Sequence, residues 1–157
     1  MSYSLIPIGE FEALDGATLI RIRPPYREAI RGLEEFSHLL VLWWFDECDD
    51  EKSRANLVET KPYKKGPDAL GVFATRSPER PNPIAVSVVD VLSVDAEQGI
   101  IWIPYADAFP GTPVLDIKPY MPSLDRIEHV EMPAWCAHWP SCVETSGDFD
   151  WEAEFNF

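Results

Sequence analysis

Residues 71–87 read GVFATRSPERPNPIAVS, a stretch that carries two arginines and three prolines between two apolar segments. Proline fixes φ near about −65° and removes a backbone N–H, so its middle cannot be a helix interior or a central strand. The apolar residues on either side, 72–74 and 84–92, predict strands that lead into and out of a stiff loop. Loops held by a rigid scaffold often carry binding residues. We therefore predict a ligand-binding loop here, with a structural turn bearing a surface arginine pair as the alternative.

Short apolar segments separated by turn residues recur along the rest of the chain, and they predict strands at 3–8, 17–22, 39–45, 86–94, 100–104 and 114–118. Residues 26–33 predict one or two helical turns. The turn residues 95–99 predict a hairpin. No G-x-G-x-x-G precedes a helix, so a Rossmann-type domain is not supported. The pattern predicts a mainly β protein: a small antiparallel β-barrel with a few short helices.

Composition narrows the class of protein. A length of 157 residues and an apolar content of 46% predict one ordinary core. The sequence contains no run of about 18 apolar residues, so no membrane helix is predicted. Met1-Ser2-Tyr3 lacks the features that begin a signal peptide, so none is predicted. Three cysteines are too few for a disulfide framework, and they predict a cytoplasmic protein with reduced thiols. The spacing Cys136-x-His138-x3-Cys142 does not match a zinc knuckle, so no metal site is predicted.

The net charge of −14 argues against binding to an extended nucleic-acid surface, because phosphate contacts require a basic face. The net charge does not exclude a local basic patch, since arginines and lysines cluster in two places. These are Arg21, Arg23, Arg27 and Arg31 near the start, and Lys61, Lys64 and Lys65 before the proline-rich loop. The alternative for each cluster is a solvated surface.

The last part of the chain has a different character, because residues 131–157 combine acidic residues with tryptophan and phenylalanine. So many aromatic side chains argue against free disorder. We expect a domain over residues 1–130 and a C-terminal extension over 131–157 that packs on the barrel or on a partner subunit.

Three motifs, in order, resemble the TrmO family of methyltransferases, also called TsaA-like or YaeB-like. They are GLEEFSHLLVLWWF at 32–45, GVFATRSPERPNPIAVS at 71–87 and GTPVLDIKPYMP at 111–122. The resemblance implies a small β-barrel, a homodimer, and S-adenosylmethionine (SAM) as the methyl donor. It also implies methylation of N6 of threonylcarbamoyl-adenosine at position 37 of tRNA.

The resemblance also implies a set of cofactor-binding residues, which are Asp46, Glu47, Arg76, Val86, Pro104, Tyr105, Ala106 and Asp107. It assigns no catalytic residue, and the candidates are Asp116, Lys118, Tyr120, Arg80 and Asn82. For Val86 the alternative is a core residue. Asp116 and Lys118 share one face of a strand, so a simple ion pair is equally compatible with their spacing.

The sequence departs from the family pattern at several positions. The family has His-Gln where this chain has Asp46-Glu47, and a large apolar residue at the position of Glu79. A basic N-terminal arm of the family is absent. Three functions stay open: a tRNA methyltransferase, a related enzyme acting on a small molecule, and a non-catalytic SAM-binding module that acts through a protein partner.

Overall fold

A computed structural model describes residues 3–156, and nearly all of its regular structure is antiparallel β. The strands are β1 (Gly9–Leu14), β2 (Ala17–Ile22), β3 (His38–Trp44), β4 (Val58–Thr60), β5 (Ala69–Gly71), β6 (Ile84–Asp90), β7 (Ser93–Asp95), β8 (Ile100–Ile103) and β9 (Pro113–Pro119). Two short helices, α1 (Glu51–Arg54) and α2 (Pro122–Asp125), accompany six 3-10 turns. The prediction of a mainly β protein with few helices is therefore confirmed.

Seven strands form the main sheet in the order β6-β3-β9-β1-β2-β8-β7, and β4 and β5 form a separate hairpin. The β1–β2 hairpin turns at Asp15 and Gly16, both of which have positive φ. Two successive residues with positive φ define the tight turn whose twist matches the flanking strands, and Asp-Gly suits it. The 95–99 turn joins β7 to β8 as predicted.

The core lies on one face of the main sheet. Side chains alternate along β3, so Leu39, Val41 and Trp43 are buried while the residues between them are half-exposed. The buried positions of neighbouring strands meet the same core, and the fully buried side chains include Phe11, Ile20, Ile22, Ile101, Ile103 and Val114. This alternation gives the sheet a core face and an outer face.

Several sequence-based expectations were wrong in detail. Among the described residues, β6 and β7 are unpaired edges of the main sheet, so the sheet is open rather than a closed barrel. The segment 3–8 is irregular, and the first strand begins at Gly9. Residues 72–74 form a 3-10 turn, because the Thr75 N–H and hydroxyl both donate to the Val72 carbonyl. The strand expected at 86–94 is divided: β6 ends at Asp90, and Ser93–Asp95 forms β7, which pairs with β8 instead of β3.

The C-terminal tail, residues 131–156, is folded. It packs on residues 61–66, in the connection between β4 and β5, through a cluster of aromatic rings. Its regular structure consists of two 3-10 turns, Val143–Thr145 and Trp151–Ala153. Met1, Ser2 and Phe157, which the predicted domain and tail include, lie outside the described residues.

Candidate active site

The proline-rich loop is held from several sides, as expected for a rigid presenting element. The Arg80 guanidinium donates to the carbonyl oxygens of Val72 at 2.6 Å and Thr75 at 2.9 Å. The Ser77 hydroxyl donates to Glu59 at 2.7 Å, and the Asn56 amide donates to the Glu79 carbonyl at 3.4 Å. These contacts leave the loop with little conformational freedom to lose when a ligand binds.

A cavity of about 220 Å³ lies between this loop and the end of β3. Apolar residues, acidic residues and a single thiol surround it. The lining residues are Trp43, Phe45, Asp46, Glu47, Cys48, Pro78, Asp107, Ala108, Phe109 and Thr112. The cavity combines aromatic surface with several carboxylates, a composition that suits a cationic ligand with an apolar body.

The aromatic part of the cavity wall is fixed by packing. Trp43 is 5% exposed, and its indole Nε1 donates to the Ser87 hydroxyl at 3.0 Å. The Phe45 ring lies edge-on to the Trp43 ring with centroids 4.6 Å apart, and Phe11 meets Trp43 from the core. The alternation of β3 explains this placement, because Trp43 follows Leu39 and Val41 on the core face.

The acidic part of the wall carries carboxylates that no basic side chain pairs with in the described part of the chain. Asp46, Glu47 and Asp107 form no ion pair within residues 3–156. Burial raises the pKa of the Cys48 thiol, and the carboxylates of Glu79, Asp50, Glu47 and Asp46 raise it further. The pKa of Tyr105 is also raised, by burial first and then by the nearby carboxylate of Asp107.

The predicted site residues fall into separate groups. Asp46, Glu47 and Asp107 lie together at the cavity, and Pro104 and Tyr105 are exposed beside it. Ala106 is 8% exposed and belongs to the core. Arg76 is exposed on the loop, and its guanidinium makes no hydrogen bond or ion pair with the described part of the chain.

The remaining candidates lie on the outer face of the sheet or support the loop. Val86 is 43% exposed opposite Leu42, and Asp116 pairs with Leu42 from the other side. Lys118 forms an ion pair with Asp116 at 2.6 Å, which is the alternative left open by their spacing.

Further along the same face, the Tyr120 ring lies 6.4 Å from the His38 ring. Arg80 serves the loop backbone, and Asn82 is exposed.

Sequence reasoning missed most of the apolar wall. Trp43, Phe45, Pro78, Phe109 and Thr112 carry no chemical motif, so only their position beside the acidic residues marks them. The usable signal was the change from the β3 apolar run to Asp46-Glu47, which places aromatic and acidic side chains at one strand end. Among residues 3–156, no cluster of three potential metal ligands occurs, and no helix is long and apolar enough to cross a membrane.

The open antiparallel sheet, the clamped arginine loop and the acidic aromatic cavity define a β-type ligand-binding domain without a Rossmann unit. The family model described as "tRNA-methyltransferase O N-terminal domain" matches residues 4–126. The chain therefore belongs to the TrmO family, as its three motifs indicated.

Known relatives agree with this assignment. The chain is 39% identical over 127 residues to a probable S-adenosyl-L-methionine-binding protein of Pyrococcus abyssi, covering 81% of this chain and 65% of that protein. It is 43% identical over 108 residues to the tRNA (adenine(37)-N6)-methyltransferase of Escherichia coli, covering 66% and 45%. The crystal structure of TrmO from Pseudomonas aeruginosa superposes with a TM-score of 0.64 at 31% identity, covering 83% and 61%. This chain thus spans less than two thirds of each of these proteins.

Proposed function

We propose that the protein is a SAM-dependent methyltransferase and that the cavity at the end of β3 receives the cofactor. The observation that carries the proposal is the convergence of Asp46, Glu47 and Asp107 on an aromatic wall beside the Arg76 loop, in a chain of the TrmO family. SAM presents a sulfonium cation, which carboxylates and aromatic faces stabilise. Arg76 is free to bind an anionic group such as the cofactor carboxylate.

Methyl transfer from SAM requires the protein mainly to position the two reactants. When SAM is bound, it supplies an activated methyl group for in-line transfer to a nucleophile. The protein orients cofactor and acceptor and takes up a proton if one leaves. The clamped loop provides orientation, and the packed Trp43 and Phe45 rings exclude water from one side of the cavity. No side chain of the cavity is assigned as a general base.

A second copy of the chain completes the site in this proposal. A volume of 220 Å³ is below the roughly 300–1,000 Å³ of typical ligand pockets, so one chain offers only part of an enclosure. The outer face of β3 and β6 offers half-exposed apolar residues for a contact, namely Leu40, Leu42, Val86 and Val88. The dimer and its cofactor site near the subunit junction follow the family resemblance. Light scattering at micromolar concentration tests this, and a monomer would contradict it.

The named acceptor is the modified adenosine of tRNA, and an acceptor molecule of low molecular weight is the alternative. Charge favours the alternative, because much of the basic surface is neutralised. Arg21 pairs with Glu12 at 2.6 Å, and Arg31 pairs with Glu28 at 3.0 Å, within the arginine cluster that would dock RNA. The family membership favours tRNA, since the relative in Escherichia coli is named for that reaction.

The deciding assay measures S-adenosylhomocysteine released from SAM with tRNA that carries threonylcarbamoyl-adenosine, at about 0.15 M salt. The same tRNA without the modification is the matched control, and a metabolite pool tests the alternative. Turnover that depends on the modification would establish the tRNA reaction. Tight SAM binding without any product in either arm would refute the enzymatic proposal and favour a binding module.

A further inference from the structure

The C-terminal tail lies beyond the part of the chain that the family model matches, and it packs around Tyr63 of the β4–β5 connection. Tyr63 is 8% exposed. The Trp135 ring stacks on it with centroids 5.0 Å apart, and the Trp139 ring meets its edge at 5.2 Å. Phe155 lies on a further side at 5.8 Å. One residue of the domain therefore serves as the centre of the tail's aromatic cluster.

Backbone hydrogen bonds fix the same contact. The Lys64 N–H donates to the Glu154 carbonyl at 2.9 Å, and the Asn156 N–H donates to the Pro62 carbonyl at 3.1 Å. The Asn156 side-chain amide donates to the Lys61 carbonyl at 3.0 Å. The end of the tail is thus paired with residues 61–64 much as a further strand would be.

A buried carboxylate closes the contact. Glu154 is 3% exposed, and its carboxylate accepts from the Lys65 ammonium at 2.8 Å and from the Trp139 indole at 3.1 Å. The His138 imidazole Nε2 lies 2.8 Å from the same carboxylate. These hydrogen bonds lower the pKa of Glu154 to about 2. Removing a buried carboxylate that accepts from several donors is costly, because those donors are left without a partner. The Glu154 carboxylate therefore favours this one arrangement of the tail.

The segment that holds the tail also holds the proline-rich loop. Strand β4 ends immediately before Lys61, and its Glu59 accepts the Ser77 hydroxyl hydrogen bond at 2.7 Å. Burial raises the pKa of the Tyr63 hydroxyl, and the backbone N–H and the charge of Arg76 oppose that rise. Tyr63 and Glu59 therefore connect the tail cluster to Arg76 and Ser77 of the loop.

We propose that the tail is a positioning element for the loop around Arg76, acting through Tyr63 and Glu59, and that it thereby tightens cofactor binding. The inference rests on the proposed function for its effect on SAM, but not for its effect on the loop. Glu154 and Tyr63 are positioning residues in this account, since neither lines the cavity. A loop fixed in its binding conformation pays less ordering entropy when the ligand arrives.

The test uses the full chain and two measurements. Amide hydrogen exchange of Thr75 and Ser77, whose N–H groups are hydrogen-bonded within the loop, reports loop order without any ligand. Isothermal titration with SAM reports affinity. Glu154→Gln removes the buried charge, and Tyr63→Phe removes only the hydroxyl. The matched control is Glu152→Gln, whose exposed carboxylate is removed while its backbone carbonyl still accepts from Lys64.

Both test variants are expected to speed exchange at Thr75 and Ser77 by roughly fivefold or more and to weaken SAM binding by a similar factor. The control is expected to change neither. Faster exchange confined to the tail, with the loop amides unchanged, would overturn the proposal, as would faster loop exchange with unaltered SAM affinity. If the wild-type chain binds no SAM, the proposed function fails, while the exchange data still decide whether the tail orders the loop.

Discussion

Arg76 and Arg80 lie four residues apart, and the structure predicts opposite consequences for their replacement by methionine. The Arg80 guanidinium donates to the Val72 and Thr75 carbonyls. The Val72 carbonyl keeps the Thr75 N–H and hydroxyl as donors, so the main loss in Arg80→Met falls on the Thr75 carbonyl. A hydrogen bond from a charged donor contributes roughly 1.5–3 kcal/mol. The buried Arg80 Nε, which has no partner among the described residues, offsets part of this value.

Arg80→Met should therefore lower the free energy of unfolding by about 2 kcal/mol, which corresponds to roughly 4–8 °C in Tm for a chain of this length. Arg76→Met should change the free energy of unfolding by less than about 0.5 kcal/mol, because its exposed guanidinium has no partner. Arg76→Met should instead weaken SAM binding by about tenfold or more.

Urea unfolding and isothermal titration of both variants measure these effects. The reasoning is refuted if Arg80→Met is as stable as the wild type, or if Arg76→Met is destabilised to the same extent as Arg80→Met.

Three further predictions concern the cavity and the tail. SAM should change the fluorescence of Trp43, and Trp43→Phe should abolish that change; an unaltered signal in the variant would move the ligand elsewhere. The Cys48 thiol should be alkylated with a midpoint at higher pH than an unperturbed thiol, because burial and carboxylates raise its pKa, and a lower midpoint would contradict the acidic field. Glu154 has a pKa of about 2 when folded against 4.5 unperturbed, so its stabilising contribution is complete above about pH 4.5 and is lost as the pH falls toward 2. The stability difference between wild type and Glu154→Gln in acid titrations should shrink over that range, and a constant difference would contradict this assignment.

Some of the fold was readable from sequence because the chain uses local signals. The turn at 95–99 specifies a hairpin by backbone chemistry, and the apolar run at 39–45 specifies β3. The Asp15-Gly16 turn was not used as a hairpin signal, because the first strand was expected at 3–8. The irregular start and the 3-10 turn at 72–74 were misread, since their apolar residues look strand-like. At 72–74 the Val72 carbonyl accepts from the Thr75 hydroxyl and from the Arg80 guanidinium, which disfavours a strand. The apolar pattern of these residues does not reveal either side-chain contact.

The candidate site was predictable only where residue chemistry is distinctive. Acidic residues at 46, 47 and 107 were singled out by motif resemblance, and the structure brings them to one cavity. The same reasoning grouped Val86, Asp116 and Lys118 with them, although these lie on the outer face of the sheet. The strand register that separates the two faces depends on long-range pairing. Arg80 was grouped with the catalytic candidates. Its role in holding the loop could not be read from the sequence, because its carbonyl partners are set by the loop conformation.

The most direct test of the central claim is a crystal structure of the full chain with SAM. The account predicts the sulfonium in contact with the Trp43 and Phe45 wall, with the carboxylates of Asp46, Glu47 or Asp107 as its nearest charges. Density for the cofactor confined to the outer face, beside Asp116 and Lys118 and away from this cavity, would contradict it.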